Sequence, residues 1–196
     1  AALAMAIQVA RALVAAAEHQ LVHRDLKPAN IMLVPNENRT EMEVKVIDFG
    51  LAKVTAGATN EMDRTHGGFV GTPTFASPEQ FAGEAADARS DIYSLGVTLW
   101  DALTGAVPYR GKTIEEIRLS RKQFALPVEQ LRARKLPALV VSLLSRVLAT
   151  DPAKRPQSAR VMLGELESCQ QAVTATPLRR QRIRRVTVTL GLLALG

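Results

Sequence analysis

Residues 23 to 30 read His-Arg-Asp-Leu-Lys-Pro-Ala-Asn, and eighteen positions after Asn30 the chain reads Asp48-Phe49-Gly50. Two carboxylates (Asp25 and Asp48), a carboxamide (Asn30) and an ammonium (Lys27) therefore stand close together in sequence. Hard oxygen ligands such as Asn30 and Asp48 suit Mg²⁺, whose octahedron phosphate and water can complete. With the remaining carboxylate and the ammonium, the set suits a reaction in which a nucleoside triphosphate is clamped while a hydroxyl is aligned for in-line attack. The chemistry read from these types is in-line transfer from a nucleoside triphosphate to an alcohol.

The surrounding sequence must hold those four side chains. From Ala1 to Gln20, Leu3, Ile7, Ala10, Val14 and Ala17 recur at spacings of three and four, which predicts one buried stripe on a helix leading into the His23 loop. Ile31 to Val34 and Val44 to Ile47 are short β-branched runs around Pro35-Asn36-Glu37-Asn38, a small antiparallel pair that would bring Asn30 near Asp48. Leu51 to Phe69 is rich in Thr, Gly, Ala and charge, and reads as a long functional loop. Asp91 to Leu103 is apolar on several faces and predicts a helix buried through the middle of the domain, stopped at Gly105. Thr113 with Glu116 is a capping-box pattern, Pro137 precedes an apolar helix over Leu139 to Leu148, and Pro156 precedes a last one near Gln157 to Leu166. The expected fold class is α+β, mainly α, with one small hairpin beside the reactive loop.

On these motifs the chain resembles a Ser/Thr protein kinase, and specifically its C-terminal lobe. The resemblance implies ATP and Mg²⁺ as cofactors and a protein as substrate. It implies Asp25 as catalytic base, Lys27 as the residue contacting the transferred phosphate, and Asn30 and Asp48 as metal ligands that also bind the nucleotide. Thr72, in Gly71-Thr72-Pro73, matches the threonine that bonds back to the base and the lysine. Arg24 matches the arginine that pairs with a phosphorylated activation-loop residue, for which Thr55, Thr59 and Thr65 are candidates and Thr65 is favoured. Three further matches are structural. Glu79, in Ser77-Pro78-Glu79, stands where the family usually has Ala-Pro-Glu, and its implied buried partner is Arg155; Asp91 matches the aspartate holding the catalytic-loop backbone. His23, Phe49 and Trp100 read as core.

The family's N-terminal lobe has no counterpart here. No Gly-x-Gly-x-x-Gly and no Val-Ala-Ile-Lys strand occurs before His23, and Lys45 leads directly into Asp48-Phe49-Gly50. The chain opens on Ala1 without a start methionine, so the expectation is a fragment, inactive alone, with a partial kinase domain over 1–170. Cys169 is the only cysteine, which excludes a disulfide framework within the chain. The formal charge of +6 is local: removing Arg179, Arg180, Arg182, Arg184 and Arg185 leaves 25 − 5 = 20 basic against 19 acidic residues, so composition gives no support for nucleic-acid binding. Residues 171–185 read as a basic juxtamembrane linker, and 186–196 as the start of a transmembrane helix tethering a cytoplasmic kinase domain to the membrane. The alternative function is a pseudokinase scaffold, which would show degenerate upstream motifs. A small-molecule phosphotransferase is disfavoured by the Gly71 to Glu79 segment, which suits peptide docking.

Overall fold

The computed structural model describes residues 1–36, 38, 42–49, 73–111 and 113–175. Helix α1, Ala2–Glu18, is alanine-rich and free of Gly and Pro, and buries Leu3, Ala6, Ile7, Val9, Ala10, Leu13 and Ala16 along one face. It frays after Glu18, where His19, Gln20 and Leu21 donate to the carbonyls of Ala16 and Ala17 and Gln20 turns left-handed at φ 57. The reactive loop follows, ending in a 3-10 turn over Pro28–Asn30.

Strands β1, Ile31–Pro35, and β2, Met42–Val46, pair antiparallel with Ile31 opposite Val46 and Pro35 opposite Met42. The strand β2 starts two residues earlier than its β-branched run suggests, because its open edge is covered: Gln8 on α1 donates to the Met42 carbonyl (3.3 Å) and accepts from the Val44 amide (2.8 Å). A side-chain amide thus replaces a third strand at an edge that would otherwise carry unpaired backbone groups.

From Pro73 to residue 175 the described residues are mainly helical. A 3-10 turn at Pro73–Phe75 leads into the short helices and long helices of the body: α2, Pro78–Ala82; α3, Ala88–Thr104; α4, Ile114–Gln123; α5, Glu129–Ala133; and α6, Ala138–Val147. A 3-10 turn at Pro152–Lys154 precedes α7, which runs over 159–175. The short helices α2 and α5 carry too few residues to show a helical period, and α7 continues nine residues past Leu166. Helix α3 begins one turn before Asp91, because Asp87 caps it by accepting from the Arg89 amide, and ends where Gly105 adopts φ 78.

Helix α3 is the axis of the core. Every residue from Ser90 to Trp100 is buried. Two of its interior hydroxyls are satisfied within the helix, Ser94 donating to the Ser90 carbonyl (3.1 Å) and Thr98 to the Ser94 carbonyl (2.9 Å). Helix α6 packs so closely that a Cβ on Gly96 would lie 2.2 Å from Val147 Cγ1. The apolar side chains of α1, α3, α5, α6 and α7 form one cluster around Trp100, Leu99 and Leu144, and Leu26 reaches into it from the reactive loop. Among the described residues the architecture is mainly helical with one two-stranded sheet. Among the described residues no helix is long and apolar enough to cross a membrane; residues 186–196 and the Leu51 to Phe69 loop lie outside them.

Candidate active site

The loop between α1 and β1 is held chiefly by one buried carboxylate. Asp91, in the first turns of α3, accepts from the His23 amide (2.7 Å) and the Arg24 amide (2.8 Å) through its two oxygens. Burial pushes its carboxyl pKa up, and the two backbone donors pull against that rise. His23 is fully buried, its ring 4.7 Å from Phe49; Nε2 donates to the Ile47 carbonyl (3.0 Å), leaving Nδ1 to accept from the Asp25 amide (3.3 Å). One imidazole therefore ties the reactive loop to the residue before Asp48.

These restraints fix the Asp25 backbone while its carboxylate remains partly open. Asp25 Oδ2 lies 2.9 Å from Lys27 Nζ, with both side chains between one fifth and one third exposed. Asn30, buried in the 3-10 turn, donates from Nδ2 to the Asp25 carbonyl (2.8 Å). That amide nitrogen is thereby spent within the loop. The Ile47 amide donates to the Asn30 carbonyl (3.0 Å), so the strand pair places Asn30 and Asp48 at the same end of the ladder. Asp48 is exposed and left-handed at φ 57, a conformation that aspartate tolerates better than most residues. Asp25, Lys27 and Asn30 are thus brought together, with Asp48 one residue beyond the strand contact. Gly71, Thr72 and the threonines at 55, 59 and 65 lie outside the described residues.

Behind the site, Glu79 and Arg155 meet across 76 residues. Arg155 Nη1 and Nη2 donate to the two carboxylate oxygens at 2.8 and 2.9 Å. The remaining guanidinium hydrogens go to the carbonyls of Ala149, Arg89 and Thr150, so every N–H of Arg155 is satisfied. For the Glu79 carboxyl, burial alone would raise the pKa; the bonds from Arg155 and Ser90 outweigh it and hold the group down at about 2.

Sequence reasoning missed Arg118, Arg121 and Gln80. Arg118 donates to the Phe81 carbonyl and Arg121 to the Ala76 carbonyl, both at 2.8 Å, so α4 grips the segment containing Ser77-Pro78-Glu79 on both sides of Pro78. The Arg121 guanidinium sits over the rings of Phe81 (4.7 Å), Tyr93 (5.1 Å) and Tyr109 (5.9 Å), and its burial pulls the pKa down. No pattern in the sequence marks either arginine. Gln80 did carry a signal, since Ser77-x-x-Gln80 is a capping-box pattern, and both halves of that box are formed.

The model of the protein kinase domain family matches residues 1–166. Three bacterial relatives are similar over most of the chain. The serine/threonine-protein kinase pkn3 of Myxococcus xanthus is 40% identical over 76% of this chain and 27% of its own length. Serine/threonine-protein kinase A of Synechocystis is 36% identical over 81% of this chain and 30% of its own length. The serine/threonine-protein kinase PknB of Mycolicibacterium smegmatis is 38% identical over 76% of this chain and 23% of its own length. The chain thus spans less than a third of each of these relatives. With its mainly helical body, its small two-stranded sheet and a family match covering all but the last thirty residues, this chain belongs to the protein kinase domain family.

Proposed function

We propose that this chain is the C-terminal lobe of an ATP-dependent protein serine/threonine kinase, occupying residues 1–170. The observation that carries the reading is the Asp25 environment: a backbone fastened by Asp91, His23 and Asn30, and a carboxylate left half-open with Lys27 at 2.9 Å. The names of the relatives support protein Ser and Thr hydroxyls as acceptors. No Gly-x-Gly-x-x-Gly occurs in the 196 residues, so the elements covering the nucleotide would come from another part of a longer protein, and this chain alone would not turn over.

In this reading Asp25 accepts a hydrogen bond from the attacking hydroxyl and aims it at the γ-phosphorus. Lys27, held beside it, donates to the transferred phosphate and offsets its charge. The donor set of Asn30 and Asp48 fits Mg²⁺: a carboxamide oxygen, whose companion nitrogen is spent on the Asp25 carbonyl, and an exposed carboxylate are hard oxygen ligands. The metal, when bound, neutralises phosphate charge. Thr72 would close the floor under the substrate hydroxyl, and Arg24 would receive a phosphorylated Thr65. The Gly71 to Glu79 segment would dock the peptide. The arginine cluster followed by the apolar run 186–196 supports a membrane tether, with the kinase domain on the cytoplasmic side.

The test is transfer of the ATP γ-phosphate to a Ser/Thr substrate by the full-length protein, beside its Asp25→Asn and Asp48→Ala forms. Loss of transfer in both variants is expected. Equal activity in all three would overturn the assignment. For the tether, membrane fractionation of the full-length protein with and without residues 186–196 gives the answer: no change in partition would end that part of the proposal.

A further inference from the structure

Gln80 belongs to none of the motifs that name the reactive residues, yet it joins two of them. Its Oε1 accepts from the Ser77 amide (3.1 Å) and the Ser77 hydroxyl (3.2 Å), while its Nε2 donates to the Arg24 carbonyl (2.7 Å), 56 residues away in sequence. The orientation of the carboxamide is forced by its partners, since a backbone amide can only donate and a backbone carbonyl can only accept. Ser77 is fully buried and opens α2, the helix carrying Glu79. Arg24 precedes Asp25 and is left-handed at φ 64, a region disfavoured for a residue with a long side chain. Such a backbone persists only where its surroundings over-determine it. Here Asp91 holds the Arg24 amide, and Gln80 holds the Arg24 carbonyl.

We propose that Gln80 is a positioning residue for Asp25, coupling the Ser77-Pro78-Glu79 segment to the base through the carbonyl of Arg24. That carbonyl belongs to the peptide plane whose amide is Asp25 N–H, itself directed at His23 Nδ1 (3.3 Å). Rotating the plane changes φ of Asp25 and re-aims its carboxylate. Gln80 thereby makes the direction of the base depend on the order of the segment that docks the peptide. The inference rests on the kinase reading above, and adds to it a residue through which substrate docking and base orientation are linked.

Gln80→Glu separates the two functions of the side chain. It keeps the acceptor for Ser77, and Ser-x-x-Glu is itself a capping box, so α2 retains its start. It replaces the donor with an anion facing a carbonyl, and protonation of the new carboxyl restores a donor. In the full-length protein with ATP and a Ser/Thr peptide, Gln80→Glu is expected to lose about tenfold or more in kcat at pH 8, as befits a buried acceptor left facing an anion, with the KM for ATP little changed. The ratio of its kcat to that of the unaltered protein should climb as the pH falls from 8 to 5.5. Gln80→Lys, which keeps a donor and discards the acceptor, should retain more kcat than Gln80→Leu, which has neither. A Gln80→Glu form as active as the unaltered protein at pH 8, a ratio that does not move with pH, or Leu outperforming Lys would each overturn the inference. Absence of transfer by the unaltered protein would instead overturn the kinase reading, and this inference with it.

Discussion

The ion pair of Glu79 and Arg155 offers the sharpest quantitative test of the fold around the site. The Arg155 side chain is fully buried and Glu79 nearly so, and all guanidinium hydrogens are committed. Glu79→Gln removes the charge that neutralises Arg155 while keeping its size, and removing one partner of a buried pair costs roughly 3–5 kcal/mol. Arg155→Met leaves the Glu79 carboxylate with Ser90 (2.6 Å) as its remaining side-chain partner, and also strips the carbonyls of Ala149, Arg89 and Thr150 of a donor. It is expected to cost at least as much as Glu79→Gln. The double variant should be less destabilised than the sum of the singles, because no charge is then stranded. The pH dependence carries a definite sign. The Glu79 carboxyl titrates near 4.5 when unfolded and at about 2 when folded, so its contribution is complete above pH 4.5 and is lost as the pH falls toward 2. At about 1.4 kcal/mol per pH unit this amounts to roughly 3 kcal/mol. Urea unfolding of the chain, followed by the fluorescence of Trp100, its only tryptophan, measures both effects. The gap between the unaltered chain and Glu79→Gln should narrow from pH 5 to pH 2. Single variants that lose under about 1 kcal/mol at pH 7, or singles that add, would refute the reasoning.

Three further outcomes follow from the geometry. Asp91→Asn turns one of two acceptors toward the His23 and Arg24 amides into a donor, and should cost about 2–3 kcal/mol in urea unfolding together with most of kcat in the full-length protein; an unchanged midpoint would show that the loop is held elsewhere. Gly96→Ala places a methyl 2.2 Å from Val147 Cγ1, so overpacking of about 1–3 kcal/mol should exceed the gain of up to about 1 kcal/mol in helix propensity. Adding Val147→Ala should raise the melting temperature of Gly96→Ala, and a Gly96→Ala chain as stable as the unaltered one would contradict the close approach of α3 and α6. Cys169 is fully buried and its thiol is pushed up to about 11 by that burial, so it should resist a disulfide reagent at pH 8 until urea unfolds the chain; immediate labelling would place α7 differently.

The elements with a regular apolar period are legible in the sequence alone: the helix through Leu3, Ile7 and Ala10, the hairpin of β-branched runs, and the central helix stopped by Gly105. Each is dictated by interactions within a few residues, where side-chain period and capping chemistry act locally. The short helices Pro78–Ala82 and Glu129–Ala133 were not legible, since a single turn has no period to display. The same division runs through the site. The residue types of Asp25, Lys27, Asn30 and Asp48, and the hydrogen bonds among near neighbours, belong to the sequence. The fastening of the loop ahead of Asp25 belongs to the tertiary structure, because the atoms that hold the His23 and Arg24 backbone come from Asp91 and Gln80, far along the chain, and only packing of α2 and α3 beneath the loop delivers them. So does the anchoring of the Ala76 and Phe81 carbonyls, which depends on two arginines of α4 whose spacing announces nothing. Local order can be written in a few adjacent residues, whereas a bond between residues 24 and 80 exists only once the core has closed.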